Sequence, residues 1–510
     1  MIEELVSHRR GLTWRFDITQ KFFLELETTL EAEQPDLSIY TAHHRIGILR
    51  GMDTSFEKPL STALYNLALK LSHLGQWAGA IEAEEQAVEL RRGLCVKQAE
   101  SCYADLANSL HNLGVLRSHL KLWDDAVKAM EEAVELRHAL VSIEPNDHRA
   151  HLSLSLHSLG TYKSHLANWA AAAAAMAEAV ELRQVLFAAE SEIYRLDLCQ
   201  SLFHLAHYRS NLKQWAGASR AMAQAVELFQ ALFALDKAAY QAVLAQSLHD
   251  LGHYRSNLAQ WTGAEEAMSQ AVKLQQEMYT TDPENHRADL SRWLQDLGFY
   301  RTNLKWWGGA EEVMAQAIGL CQTLFSQDPE TYREDLSYSF HNLGCCRSNL
   351  KQWVGAAEAM GYAVELRRVM YGKDPDKCRA GLSRSLHILG TYLSKLEQYE
   401  NATHVTQEAV TLRQALFSKE PDAHRSDLAE SFHILGTHFS RMNEWVSALE
   451  VMDQAVRLRQ ALFEAAPNSN RKNLSSSLHL LRLCQSELGN HPAAAMTAEA
   501  IARLADVHDT

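Results

Sequence analysis

Trp77, Trp123, Trp169, Trp215, Trp261, Trp307 and Trp353 stand 46 residues apart, and the same step continues to Tyr399, Trp445 and His491. Ten positions in one frame, with no insertion or deletion between them, restrict the fold before any single residue is interpreted. Self-similarity at a period of roughly 20–50 residues means stacked supersecondary units, which overrides the usual guess of about 150 residues per domain. Units begun 21 residues before the aromatic give nine full repeats over residues 56–469 and a tenth, divergent and shortened, over 470–510.

Each unit carries two helical stripes. Leucine stands 17 residues before the aromatic in all ten units, from Leu60 to Leu474. Leu or Phe recurs 13 before, Leu 10 before, and Leu (once Met442) 3 before. Gaps of 4, 3 and 7 draw one line down a helix. After the aromatic, Ala falls at the third position in all ten units and Met at the seventh in seven of them. Ala returns at the tenth position in nine units, followed by Leu at the thirteenth. Between units lie Glu144-Pro145, Asp282-Pro283, Asp328-Pro329, Asp374-Pro375 and Glu420-Pro421, which read as helix stops. The unit is therefore predicted to be helix, short turn, helix, loop, with helices of about 18 residues and ~27 Å. One such hairpin cannot bury both its stripes, so its neighbours must, and the chain is expected to be an all-α solenoid.

The pattern resembles the tetratricopeptide repeat. Leu159-Gly160, Trp169, Ala172 and Ala179 carry the resemblance, as do Leu251-Gly252, Trp261, Ala264 and Ala271: Leu-Gly in the first helix, an aromatic at the turn, small residues at the helix crossing. The repeat here is longer than the family's common one and is similar to the long repeats of kinesin light chains and fungal helical-repeat arrays. The resemblance implies a right-handed superhelix of about ten repeats, with first helices on its concave side, and a protein-binding scaffold. Residues 1–55 lie outside the frame; Arg9-Arg10-Gly11-Leu12 echoes Arg91-Arg92-Gly93-Leu94, so a degenerate repeat or helical cap is expected there.

Composition narrows the partners. Sixty-three acidic against 49 basic residues leave a net charge of −14, the wrong sign for a nucleic-acid backbone. No apolar run approaches the ~18 residues of a membrane helix, and the first residues, MIEELVSHRRG, lack the apolar core of a secretory signal. Eight cysteines without recurrent CxxC pairing suit a reducing, cytoplasmic setting.

Several columns recur at fixed distance from the aromatic. His111, His157, His249, His341, His387, His433 and His479 stand 12 before it, on a line with small residues 16 before and Ser or Thr 5 before. This line is either tight packing between successive first helices, with histidine and hydroxyl hydrogen-bonded internally, or a polar stripe along the groove. His249 and His253 have the spacing of a helical zinc site, but Asp250 stands where a zincin needs Glu, and the repeat itself accounts for His249. Cys345-Cys346 belongs to no recurring cysteine column and reads as two partly buried thiols. Arg117, Lys163, Arg209, Arg255, Arg301 and Arg347, six before the aromatic, fall inside the apolar stripe, where an ion pair to a neighbouring helix would stabilise them.

The neighbouring face varies. Asn211, Asn257, Asn303 and Asn349 stand 4 before the aromatic in four consecutive units, and Lys395 and Arg441 follow in that column. Fifteen before it stand Gln200, Gln246, Arg292, Tyr338 and Arg384. Amides both donate and accept, as an extended peptide backbone requires, so these eleven residues are the expected peptide-binding set. An acidic stretch of ligand is expected near the basic members. No nucleotide-binding loop, nucleophile elbow or paired-cysteine zinc spacing is present, so neither an enzyme nor a cofactor is expected. The expected function is a non-enzymatic scaffold holding an extended peptide or a partner's helix in a concave groove. The alternative is the sensor arm of a larger NTPase- or protease-linked signalling protein.

Overall fold

The computed structural model describes residues 35–51, 56–98 and 102–506. Among the described residues it has twenty-one α-helices and no strand. Helix α1 spans Pro35–Arg50. The first helices of the repeats are α2 (Glu57–His73), α4 (Tyr103–His119), α6 (Pro145–His165), α8 (Ser191–Asn211), α10 (Lys237–Asn257), α12 (Pro283–Asn303), α14 (Pro329–Asn349), α16 (Pro375–Lys395), α18 (Pro421–Arg441) and α20 (Pro467–Glu487). The second helices begin on the periodic aromatic itself: α3 (Trp77–Gln98), α5 (Trp123–Ile143), α7 (Trp169–Ala189), α9 (Trp215–Leu235), α11 (Trp261–Thr281), α13 (Trp307–Gln327), α15 (Trp353–Lys373), α17 (Tyr399–Lys419), α19 (Trp445–Ala465) and α21 (His491–Asp506).

The repeat is tighter than its sequence suggests. Helices α5, α6, α7 and α8 each have 21 residues, as do α14, α15 and α16, which makes them about 31 Å long rather than ~27 Å. The expected loop between units is a single extended residue: Glu144 has φ −130° and ψ 81°, and Asp328 has φ −137° and ψ 86°. The prolines open helices instead of following loops. Proline at the first helical position lacks only an N–H that would be unpaired there anyway, while it holds the preceding residue extended. Asp282, Asp328 and Asp374 exploit this as caps, and Asp236, which precedes Lys237, caps without a proline; each accepts a backbone N–H from three residues on, at 3.0–3.3 Å.

The turn within a hairpin has a left-handed residue two before the aromatic. Gly75 and Gly489 fill it at the ends, but Lys121, Ala167, Lys213, Lys305, Lys351, Glu397 and Asn443 hold it with φ 55–60°. There the backbone closes back on the first helix: Ala167 N–H donates to Ser164 O at 3.0 Å, and Asn168 N–H to Lys163 O at 3.0 Å.

The chain divides into two compact units, Met1–Leu258 and Ala259–Thr510. Within each unit a first helix packs against its own second helix and against the second helix of the preceding repeat. In the first unit, Ala42, Ile46 and Leu49 of α1 join Leu64, Leu67, Ala80 and Ala87 in one core. Residues 1–34 and 52–55, including the Arg9–Leu12 echo, lie outside the described residues. In the second unit, Met314, Leu336, Met360, Leu382 and Leu386 belong to a continuous core, and a further cluster around Met452 and Leu474 serves the last repeats. Close crossing explains the glycine nine before the aromatic: a Cβ at Gly160 would lie 3.1 Å from Ala172 O, and one at Gly344 3.2 Å from Ala356 O.

Candidate interaction surface

All eleven residues expected to contact a ligand are exposed and lie on first helices. Each asparagine is the last residue of its helix, and its amide N–H donates to the carbonyl four residues back. Asn211 bonds His207 O at 2.9 Å, Asn257 bonds His253 O at 2.9 Å, Asn303 bonds Phe299 O at 2.9 Å and Asn349 bonds Cys345 O at 2.8 Å. That bond orients the amide by satisfying one carbonyl of the helix end. In Asn211, Asn303 and Asn349 it uses one of two N–H groups and leaves the amide oxygen for another donor, while the Asn257 amide nitrogen also lies 3.3 Å from His253 Nε2. Two such amides stand in each compact unit. Gln246 is held more firmly, donating to Asp250 Oδ1 at 2.8 Å, and Arg292 stands 3.9 Å from Asp289 Oδ1. Tyr338 is 40% exposed, a large ring half in water on a helix face.

Five members of the histidine column are interior, whereas His249 meets Asp250 of its own helix at 3.1 Å and His479 is exposed. His111 Nδ1 meets Ser155 Oγ at 2.8 Å, His157 meets Ser201 at 3.0 Å, and His341, His387 and His433 meet Ser385, Ser431 and Ser477 at 3.0–3.1 Å. An arginine near the end of the intervening second helix closes each junction. Arg183 Nη1 donates to Ser201 Oγ and to Asp197 O, both at 2.6 Å, and approaches His157 Nδ1 at 3.2 Å. Arg137, Arg367, Arg413 and Arg459 repeat the arrangement. Burial and the adjacent guanidinium hold these histidines neutral: His111, His157 and His387 fall to about 3, His341 and His433 to about 4. The serine 14 before the aromatic and the arginine 14 after it are regular in the sequence. Their signal was a pair of polar columns interrupting apolar stripes.

The basic column six before the aromatic is also structural. Arg117 pairs with Glu85 and Lys163 with Glu131, both at 2.8 Å; Arg301 pairs with Glu265 and Arg347 with Glu311, both at 3.0 Å. Arg209 donates to Gly217 O at 3.4 Å. His253 lies edge-on to Trp215, its ring centroid 6.0 Å away. Cys346 is buried and Cys345 partly so.

Residues 106–150, from Leu106 in α4 across α5 into α6, match the family model of the tetratricopeptide repeat. The chain is an array of tetratricopeptide-like repeats. Among solved structures it is similar to BtubC (BKLC) from P. vanneervenii, at 19% identity over 48% of this chain and 90% of that one, TM-score 0.36. It is also similar to the nearly identical TPR-like repeats of a putative kinesin light chain from Podosopora anserina, at 19% identity over 44% and 99%, TM-score 0.34. A third, MamA, shares 12% identity over 42% and 97%, TM-score 0.29. No curated protein matches the chain. In this chain the packing columns recur along the whole array, while an exposed first-helix column holds asparagine in four consecutive repeats and then changes to Lys395 and Arg441.

Proposed function

We propose that this chain is a non-enzymatic scaffold whose first-helix faces hold an extended peptide or a partner's helix. One observation carries the reading: the eleven side chains that vary along the array are all exposed on one type of helix, and four of them are amides oriented by their own helix ends. An amide with a free oxygen and a free N–H serves a peptide backbone whatever its side chains, at about 0.5–1.5 kcal/mol net per bond. Arg384, Lys395 and Arg441 add positive charge in the second unit and favour an acidic stretch of ligand there, in an interaction that salt weakens. The free thiols of all eight cysteines support a cytoplasmic setting.

The test replaces Asn211, Asn257, Asn303 and Asn349 together by alanine and follows the melting temperature beside capture of partner peptides. The expected result is a melting temperature within a few degrees of wild type and peptide capture reduced tenfold or more. A lower melting temperature with unchanged capture by the folded fraction makes the amides structural and overturns the reading. So does a partner whose footprint covers only second helices.

A further inference from the structure

The seventh position after the aromatic is Met130, Met176, Met222, Met268, Met314, Met360 and Met452 in seven repeats, each fully buried. In the first repeat it is Glu84, and Glu84 is also fully buried. Neither of its carboxylate oxygens has a hydrogen bond of ordinary geometry. It lines a cavity of about 190 Å³ between α2 and α4, with Ser72, His73, Trp77, Asn112 and His119 among the other walls. Asn112 Nδ2 is likewise buried and without a partner. The ring of His119 stacks face to face on Trp77 at 4.0 Å and 8° between planes, so the two rings line the cavity as one aromatic stack. His73 and His119 are exposed, so the cavity opens to water at its rim while the acid lies at its floor.

We propose that this cavity is an anchor for a cationic side chain or amine, its ammonium group set on Glu84 and its alkyl stem against the Trp77–His119 wall. The shape and chemistry agree. A buried carboxyl whose oxygens lack well-formed hydrogen bonds is costly, and a bound cation supplies further donors and charge beside those of Ser109 and Arg91. An indole face attracts ammonium in addition to burying methylenes. Ser109 and Arg91 pull the carboxyl toward its ionised form, but burial outweighs them and pushes it up to about 8, so binding of a cation drives the carboxyl proton out to water. His73 and His119 belong to the same column as the four asparagines, so this anchor rests on the reading of that face as the binding surface. It sits within the first compact unit.

The test uses the full chain and two small probes, n-butylammonium and 1-butanol, titrated by ligand-observed NMR. Glu84→Met restores the residue that seven other repeats bury at this position, so it is expected to fold with a melting temperature at or above wild type. Wild type is expected to prefer butylammonium over butanol at least tenfold, and E84M to lose that preference. Equal affinities for both probes in wild type, or an undiminished preference in E84M, overturns the anchor. The two readings separate in one further comparison. Peptide capture that survives E84M but fails when the four asparagines are replaced, without butylammonium binding to wild type, leaves the surface and removes the anchor. Butylammonium binding that E84M abolishes, with peptide capture indifferent to the asparagines, removes the surface reading and leaves the anchor.

Discussion

His157, Ser201 and Arg183 meet where three helices join, and the chain itself contains the control for their coupling. At the next junction the histidine column holds Phe203 and the arginine column Phe229, so imidazole and guanidinium disappear together. Ser247, left without both, donates to Val243 O of its own helix at 2.7 Å. In the first repeat Tyr65 replaces the histidine, and the Arg91 guanidinium lies 4.7 Å over its ring while bonding Ser109 at 2.6 Å. A buried polar network is costly when half satisfied, so where Phe203 and Phe229 stand the imidazole and guanidinium are absent together, and where Tyr65 stands the retained Arg91 still has Ser109 to bond. Arg183→Phe alone should cost ~2–4 kcal/mol, and His157→Phe alone ~1–3 kcal/mol. The double substitution should cost at least ~1 kcal/mol less than their sum, measured by denaturant melts in a double-mutant cycle; strict additivity would show that the residues are not coupled. The turn residue Ala167 offers the opposite sign. Its φ of 55° strains an L side chain, so Ala167→Gly should stabilise by ~1 kcal/mol, although glycine weakens most positions. An unchanged or lowered melting temperature would count against strain at that turn.

Helix α12 shows what an element gains from its neighbours. Leu294 is 1% exposed in the apolar stripe, so Leu294→Ala should leave a cavity costing ~2–5 kcal/mol. Because each hairpin leans on adjacent ones, hydrogen exchange should accelerate first in α12, α13 and the helices packed on them. Uniform acceleration along the chain would contradict that. At the start of α14, Asp328 accepts from Thr331 N at 3.2 Å, and Asp328→Ala should cost ~0.5–2 kcal/mol. These elements also mark how far the sequence could be read. The 46-residue period, the two stripes, the Gly160 crossing and the ion pairs of Arg117 and Arg301 follow from spacing alone, because packing imposes a strict period on what it buries. The helix starts did not follow. Proline at residue 329 is compatible with a helix ending before it or beginning at it, and only the extended backbone of Asp328 decides. The Arg183–Ser201 bond was also hidden, since its columns are 18 residues apart in sequence and meet only when one hairpin stacks on the next. Glu84 was visible as an exception in the methionine column, but the burial of its carboxyl beside a cavity needed coordinates.

Across the whole molecule, the buried titratable groups give stability a pH dependence whose sign differs between groups. His111 and His157 in the first unit, and His341, His387 and His433 in the second, have folded pKa values of about 3–4 against 6.5 for the free side chain. A depressed histidine stabilises the fold above the unfolded pKa, and that contribution is lost as pH falls from 6.5 toward 3–4, where the unfolded chain binds protons the folded one refuses. By pH 5 each such histidine can withdraw up to about 2 kcal/mol, so both units should melt at lower temperature as the pH drops from 7 to 5. Glu84 works the other way. Its folded pKa of about 8 lies above the 4.5 of a free glutamate, so its contribution is complete below 4.5 and lost as pH rises to about 8. The first unit therefore loses stability on both sides of a maximum, and the second chiefly on the acid side. Glu84→Met should remove only the alkaline loss, raising the melting temperature at pH 8 more than at pH 5. Hydrogen exchange followed separately in α3 and α15 across that range resolves the two units. An exchange rate in α3 that responds to E84M equally at pH 5 and pH 8 would mean that the carboxyl does not change its charge over that range.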